Sequence, residues 1–207
     1  MKNSFVNNVG VFLLEIIRNP GEVGAIAPSS KSLSKEITDY IKTGKTPVSI
    51  IEVGPGTGSM TEVIAKKLGS HDRFDVIEYN PQFVEVLQKR FKDYPNIHIH
   101  CVSIIDWNPE YKYDYMVSCL PFNVFNADFV ELIVKHYEHI MKKGSMISYF
   151  EYMVFPKIKK AMLNGDKKDN FEKLHAILSN FRNKYEISKR RVYKNFPPAY
   201  VYNLKIK

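Results

Sequence analysis

Cysteine is nearly missing from this chain. Its 207 residues include only Cys101 and Cys119, too few for a disulfide framework and without zinc-ligand spacing, which points to a reducing compartment. No apolar run approaches the ~18–20 residues that cross a bilayer. Six histidines are scattered, and His98 and His100, alternating on one expected strand, read as structural or surface groups; no metal is expected. A cleaved leader is not expected either. Val9 to Ile17 is apolar and Ala25-Ile26-Ala27 resembles a peptidase site, but Glu15 interrupts the run and only Lys2 precedes it.

Acid is scarce in one place. Residues 1–156 hold 16 Lys/Arg and 18 Asp/Glu, whereas residues 157–207 hold 14 and 4. The formal charge of +8 therefore sits in the C-terminal quarter. Such a region suits phosphates, of lipid headgroups or of nucleic acid. With 44% hydrophobic and 25% charged residues, a packed globular core is expected rather than disorder.

Phe5, Val9, Phe12, Leu13, Ile16 and Ile17 recur at helical spacing, so residues 3–18 read as an amphipathic helix. A second helix is expected over 30–41. Residues 1–44 are thus read as an N-terminal helical arm and 45–207 as one domain. Over 48–149 strands alternate with helices: strands at 48–53, 74–78, 97–102, 113–119 and from 145, helices at 60–68, 81–91 and 127–141. This is the βαβ pattern of a parallel sheet. Beyond Tyr152, helices are expected at 156–164 and 169–181, then two closing strands at 185–193 and 199–206. The fold class is α/β, Rossmann-like, a mostly parallel seven-stranded sheet ending in an antiparallel hairpin.

Glu52-Val-Gly-Pro-Gly-Thr-Gly58 follows the first strand and opens a helix. Ligands bind where such strands end, and glycine lets backbone approach them closely. The spacing is Gly-x-Gly-x-Gly with an acid directly before it, not the Gly-x-Gly-x-x-Gly of dinucleotide folds. A carboxylate beside the loop suits a cationic cofactor without phosphate, which S-adenosylmethionine is. Gly54, Gly56 and Gly58 would shape the loop, and Thr57 would bond the cofactor or cap the helix. Glu78, ending the second strand, would hold the ribose hydroxyls. After the third strand, Ser103 would meet the adenine amine and Ile104 pack on the ring.

Four segments carry a closer likeness: Val23-Gly-Ala-Ile-Ala-Pro-Ser-Ser30, Ile51-Glu-Val-Gly-Pro-Gly-Thr-Gly58, Ser118-Cys-Leu-Pro121 and Asn195-Phe-Pro-Pro-Ala199. With these the chain resembles the bacterial phospholipid N-methyltransferases, class I S-adenosylmethionine-dependent enzymes related to the rRNA adenine dimethyltransferases. The resemblance implies methyl transfer to a phospholipid amine such as phosphatidylethanolamine, and a cytoplasmic enzyme peripherally held at the inner membrane. It puts Ser118 and Leu120 beside the cofactor, and Pro121 and Phe122 beside the acceptor. Cys119 departs from the Gly common in the lipid enzymes. The rRNA enzymes have Asn-Leu-Pro-Tyr there, and a thiol cannot replace the Asn oxygen as an acceptor. Phe122 could still stack a flipped base.

Ser29 and Ser30 are candidates for a helix cap or for contact with cofactor or lipid phosphate. Arg190 and Arg191 are candidates for phosphate, which the guanidinium fork suits. Glu151 and Tyr152 are the candidate general bases. The first helix would lie on an anionic membrane or cover the sheet. The alternatives are an RNA adenine methyltransferase and a non-catalytic cofactor- or RNA-binding module.

Overall fold

The computed structural model describes residues 30–153 and 165–207. The expected helices at 3–18 and 156–164, and Ser29, lie outside these residues. Described in chain order are α1 (Lys31–Ile37), β1 (Ser49–Val53), α2 (Ser59–Ala65), β2 (Arg73–Glu78), α3 (Pro81–Arg90), β3 (Ile97–Cys101), β4 (Tyr113–Ser118), α4 (Ala127–Ile140), β5 (Met141–Tyr152), α5 (Asp166–Tyr185), β6 (Glu186–Val192) and β7 (Ala199–Lys205). The seven strands form one sheet in the order β3-β2-β1-β4-β5-β7-β6. β1 to β5 run parallel, and β7 is antiparallel to both β5 and β6. The expected Rossmann-like α/β sheet with a closing hairpin is what forms.

The helix ends follow from local chemistry. Ser30 caps α1, its hydroxyl accepting the Leu33 N–H, and Asn126 caps α4 by accepting the Asp128 N–H. Pro81 occupies the first turn of α3, where no N–H is needed. α5 is longer than the expected 169–181. Asp166 and Asp169 in its first turn and Arg182 and Lys184 in its last complement the helix dipole. β5 begins at Met141 rather than near 145. Met141 leaves the helix in an extended conformation and pairs with Tyr113.

Apolar side chains cover both faces. On one, Phe129, Val130 and Ile133 of α4 and Leu174, Leu178 and Phe181 of α5 pack over Met116, Tyr149 and Tyr202. On the other, Leu33 and Ile37 of α1 join Ile64 and Leu87 over Ile50, Val76 and Val201. Beside the first core lies a polar knot. Asp75, fully buried, accepts hydrogen bonds from Arg73 Nη2 at 3.0 Å, Tyr111 at 2.6 Å and Tyr113 at 3.1 Å, and contacts His100 Nε2 at 2.8 Å. Burial pushes its carboxyl up, but His100, Arg73 and Tyr111 outweigh that and hold it down at about 2.

Burial depth sets the response to truncation. Leu178→Ala is expected to cost about 2–5 kcal/mol. Ile187→Ala, at a side chain 49% exposed on β6, is expected to stay within about 0.5 kcal/mol. Urea unfolding of both variants checks the contrast.

Candidate active site

β1 lies at the centre, between β2 and β4. Its connections leave in opposite directions, so a crevice opens where β1 and β4 end, the usual ligand position in an open α/β sheet. A cleft is found there. Its wall takes Val53, Gly54 and Gly56 from the end of β1, Glu78 and Tyr79 from β2, Ser103 and Ile104 from β3, and Leu120 and Pro121 from β4. Four strand ends that are distant in sequence therefore face one space.

The glycines are required by geometry at two points. Gly54 has φ +70°, and a Cβ there would stand 2.8 Å from Leu120 Cδ2. Gly58 starts α2 at φ +86°, with a would-be Cβ 2.8 Å from Leu87 and 2.9 Å from Phe91. At Gly56 a Cβ would meet nothing within 4 Å, so that backbone borders open space. Thr57 is exposed, and its carbonyl accepts from Arg90 Nη1 at 2.8 Å. Neither Thr57 nor Gly58 lines the cleft; Gly58 turns the chain and Thr57 is held by α3.

Two acids flank the loop and differ sharply. Glu78 lines the cleft. Its Oε2 accepts the Gly56 N–H at 3.2 Å and its Oε1 the Asn80 N–H at 2.8 Å. Burial raises its pKa, and the N–H groups of Asn80 and Gly56 oppose the rise. Glu52 is fully buried beneath the loop. The Thr61 hydroxyl donates to its Oε2 at 2.7 Å, and Cys119 Sγ lies 3.9 Å from its Oε1. Burial pushes the Glu52 carboxyl up to about 8, against the Thr61 hydrogen bond and with help from Glu78. At neutral pH it is a protonated group supporting the loop, and it does not line the cleft.

Ser118 ends β4 with its hydroxyl 2.8 Å from that of Tyr137, sealed in the core. Cys119 lines the cleft, with Sγ 3.1 Å from Met60 Sδ. Burial raises its pKa well above the usual thiol range, so it is a neutral thiol. Pro121 lines the cleft, but Phe122 is 4% exposed and meets Tyr149 edge-on with centroids 5.6 Å apart. Glu151 is ion-paired to Arg182 at 2.7 Å. Its carboxyl is raised by burial and drawn back by that guanidinium. Tyr152 is half-buried and packs edge-on against Phe150. Neither Glu151 nor Tyr152 lines the cleft. Arg190 pairs with Glu36 of α1 and with Asp39 just beyond it. Arg191 is exposed. Ser30 is the α1 cap, and its N–H donates to Asn195 Oδ1 at 3.0 Å.

Tyr79, Phe83, Val102, Phe125 and Phe129 also line the cleft and were missed from sequence. Tyr79 was within reach, since it follows Glu78 directly. Phe125 and Phe129 reach the cleft because the chain turns back after Pro121, through a short 3-10 turn at Phe122–Val124. No motif in the sequence announces that turn.

A family model described as "Methyltransferase domain" matches residues 50–144. Residues 50–144, somewhat under half of the chain, are similar to that domain, and the fold is that of S-adenosylmethionine-dependent methyltransferases. Its sheet superposes on the N-methyltransferase NodS of Bradyrhizobium japonicum WM9, solved with S-adenosyl-L-homocysteine, with a TM-score of 0.60. That likeness covers 77% of this chain and 78% of the other at 12% identity, and it is a likeness of fold. By sequence the chain is similar to malonyl-[acyl-carrier protein] O-methyltransferase 1 of Ilyobacter polytropus, 28% identical over 92 residues, 44% of this chain and 34% of that protein. It is similar to ornithine lipid N-methyltransferase of Singulisphaera acidiphila, 29% identical over 117 residues, 54% of this chain and 60% of that one. It is also 31% identical over 87 residues to ribosomal RNA small subunit methyltransferase A of Dehalococcoides mccartyi, 38% of this chain and 28% of the relative. The chain thus matches about a third of the first relative's length and less than two thirds of the second's.

The residues present fit S-adenosylmethionine. The Gly56 backbone borders open space, with nothing within 4 Å of where a Cβ would stand. The Glu78 carboxylate lines the cleft at the end of β2, where ribose hydroxyls would donate to it. Ile104 and Phe83 offer apolar surface for a purine, and Ser103 beside them a hydroxyl.

Two outcomes are expected at this site. Unfolded Glu52 ionises above about pH 4.5, whereas the folded carboxyl keeps its proton until about pH 8. The stability that the protonated group contributes is therefore present below pH 4.5 and lost as pH rises toward 8. Glu52→Gln should gain stability relative to the parent across that window, as read by denaturant unfolding at both ends. Gly54→Ala forces a left-handed alanine, a strain of about 1–2 kcal/mol, and should weaken S-adenosylmethionine binding in calorimetry. Gly44→Ala, with nothing within 4 Å, should leave that binding unchanged.

Proposed function

We propose that the protein is an S-adenosylmethionine-dependent N-methyltransferase acting on the primary amine of a phospholipid, such as phosphatidylethanolamine, at a membrane surface. The observation that carries this reading is the wall beside the glycine loop: Cys119, Leu120 and Pro121 line the cleft, while Phe122 turns into the core. Rings that could stack a base do line the cleft, but a planar base also needs a fixed hydrogen-bond acceptor for its exocyclic amine. Among the described residues, no Asn or Gln lines the cleft, and the Cys119 thiol is a weak acceptor. A flexible alkylamine does not need that fixed acceptor. The partial match to an ornithine lipid N-methyltransferase supports the same class of acceptor.

When bound, the cofactor supplies a methyl group on a sulfonium, with a neutral thioether as leaving group. The protein's share is to bind, orient and desolvate. Glu78 holds one end of the site and the glycine turn sets how closely backbone approaches. Leu120, Pro121, Phe125 and Phe129 make an apolar wall. An alkylammonium, with a pKa of about 10.4 by analogy with Lys, loses its proton more readily against such a wall because burial disfavours the charge. Holding the neutral amine near the reacting carbon accounts for the rate gain expected of proximity. The Glu151–Arg182 ion pair leaves that carboxylate engaged, so the proton is released to water at the mouth of the cleft.

A match to ribosomal RNA methyltransferase A supports RNA adenine as the second reading, and the basic C-terminal quarter would serve it. Methyl transfer from radiolabelled S-adenosylmethionine to phosphatidylethanolamine in detergent micelles, beside total RNA, separates the readings. Label is expected in lipid. Label in RNA alone overturns the proposal, and label in neither favours a binding module.

A further inference from the structure

The β6–β7 hairpin carries a surface that the chemistry above does not use. Ala199 opens β7 opposite Tyr152, the last residue of β5. The connection 193–198 therefore stands at the carboxyl end of the parallel strands, the end that holds the cleft. At this tip Phe196 is 88% exposed and Tyr193 67%, the most exposed large hydrophobic side chains among the described residues. The turn beneath them is held firmly. Asn195 is buried, accepting the Ser30 N–H at 3.0 Å and donating through Nδ2 to the Pro197 carbonyl at 2.8 Å. The Met153 N–H donates to the Pro198 carbonyl at 2.8 Å. Two aromatics are thus presented on a pre-ordered turn, which lowers the entropy lost on docking.

Charge around the tip is one-sided. Lys189, Arg191 and Lys194 are exposed and form no ion pair among the described residues. Lys189 Nζ sits 4.0 Å from the Tyr200 ring centroid, and Arg191 adjoins Tyr193 and Tyr200. The acids nearby are engaged or distant: Glu151 with Arg182, Glu36 and Asp39 with Arg190, and Glu186 at the far end of β6. Aromatic rings flanked by lysine and arginine suit the headgroup layer of an anionic bilayer. Single-stranded nucleic acid is typically taken by a basic groove with rings along its floor, whereas these rings cap a turn between two strands.

We propose that the β6–β7 tip docks the protein on an anionic phospholipid bilayer. Phe196 and Tyr193 seat among the headgroups, and Lys189, Arg191 and Lys194 meet lipid phosphates, which turns the cleft toward the lipid. The proposal rests on the lipid-amine reading for its purpose, but its test is separate. Binding of the full chain to phosphatidylcholine vesicles, with and without phosphatidylglycerol, is measured against the F196S/Y193S double variant and against K194E/R191E. Calorimetric S-adenosylmethionine affinity, expected to be unchanged, serves as the check of folding. Wild type should bind only the anionic vesicles, and less as salt rises. The aromatic variant should lose about tenfold or more in vesicle affinity, and the charge-reversed variant should lose the preference for anionic lipid.

Absence of wild-type binding to anionic vesicles, or undiminished binding by F196S/Y193S, overturns the proposal. Methylation of micellar phosphatidylethanolamine together with undiminished vesicle binding by the double variant would sink the docking tip and leave the acceptor standing. Vesicle binding lost in that variant, with no methylation of the micellar lipid, would sink the acceptor and leave the tip.

Discussion

The Glu78 carboxylate bridges two backbone N–H groups, that of Gly56 in the glycine turn and that of Asn80 at the start of α3. Together with the Gly54 N–H, which donates to the Ile77 carbonyl at 2.9 Å, this contact ties the end of β1 to the end of β2. It leaves one face of the carboxylate to the cleft, and it needs Gly56 in a left-handed conformation to aim the N–H. The turn is pressed from behind as well. Leu87 and Phe91 crowd Gly58, and Arg90 holds the Thr57 carbonyl. Backbone geometry in the loop is thereby set by α3, an element with no motif of its own.

Beneath the loop, Glu52 shows a different use of a carboxyl. An acid directly before a glycine turn reads as a ligand for a cationic cofactor. Packed under the turn with Thr61 and Cys119, it is a mostly protonated hydrogen-bonding post. Burial accounts for the difference, since desolvation of a carboxylate outweighs one hydroxyl donor. The two acids divide the work, Glu78 at the surface of the cleft and Glu52 under its floor.

The C-terminal quarter combines structure with the candidate interface. Its positive charge, visible as a count, separates in space into three roles. Arg182 is spent on Glu151 and Tyr149 within the fold. Arg190 fastens the hairpin to α1. On the hairpin, Lys189, Arg191 and Lys194 are exposed and form no ion pair among the described residues. Charge counting alone cannot make this division, because a pairing partner such as Glu36 is 154 residues away in sequence.

Alternation of strands and helices, with the Gly-x-Gly-x-Gly turn and the acid at the end of the second strand, determined the α/β class, the hairpin and the cofactor loop. Those signals are local, with periods of two or a few residues set by backbone geometry. Boundaries slipped where tertiary pairing overrode them, as at Met141, which joins β5 through its pairing with Tyr113. Only the tertiary structure decided which candidates meet at the cleft. Gly54, Gly56, Glu78, Ser103, Ile104, Leu120 and Pro121 come together because parallel strands end at one level. Glu52, Ser118, Phe122 and Glu151 are instead bound into contacts inside the fold, and Arg190 into a surface ion pair with Glu36. Which way a side chain points, and what charge lies opposite it, depends on residues far along the chain, and no local pattern encodes that.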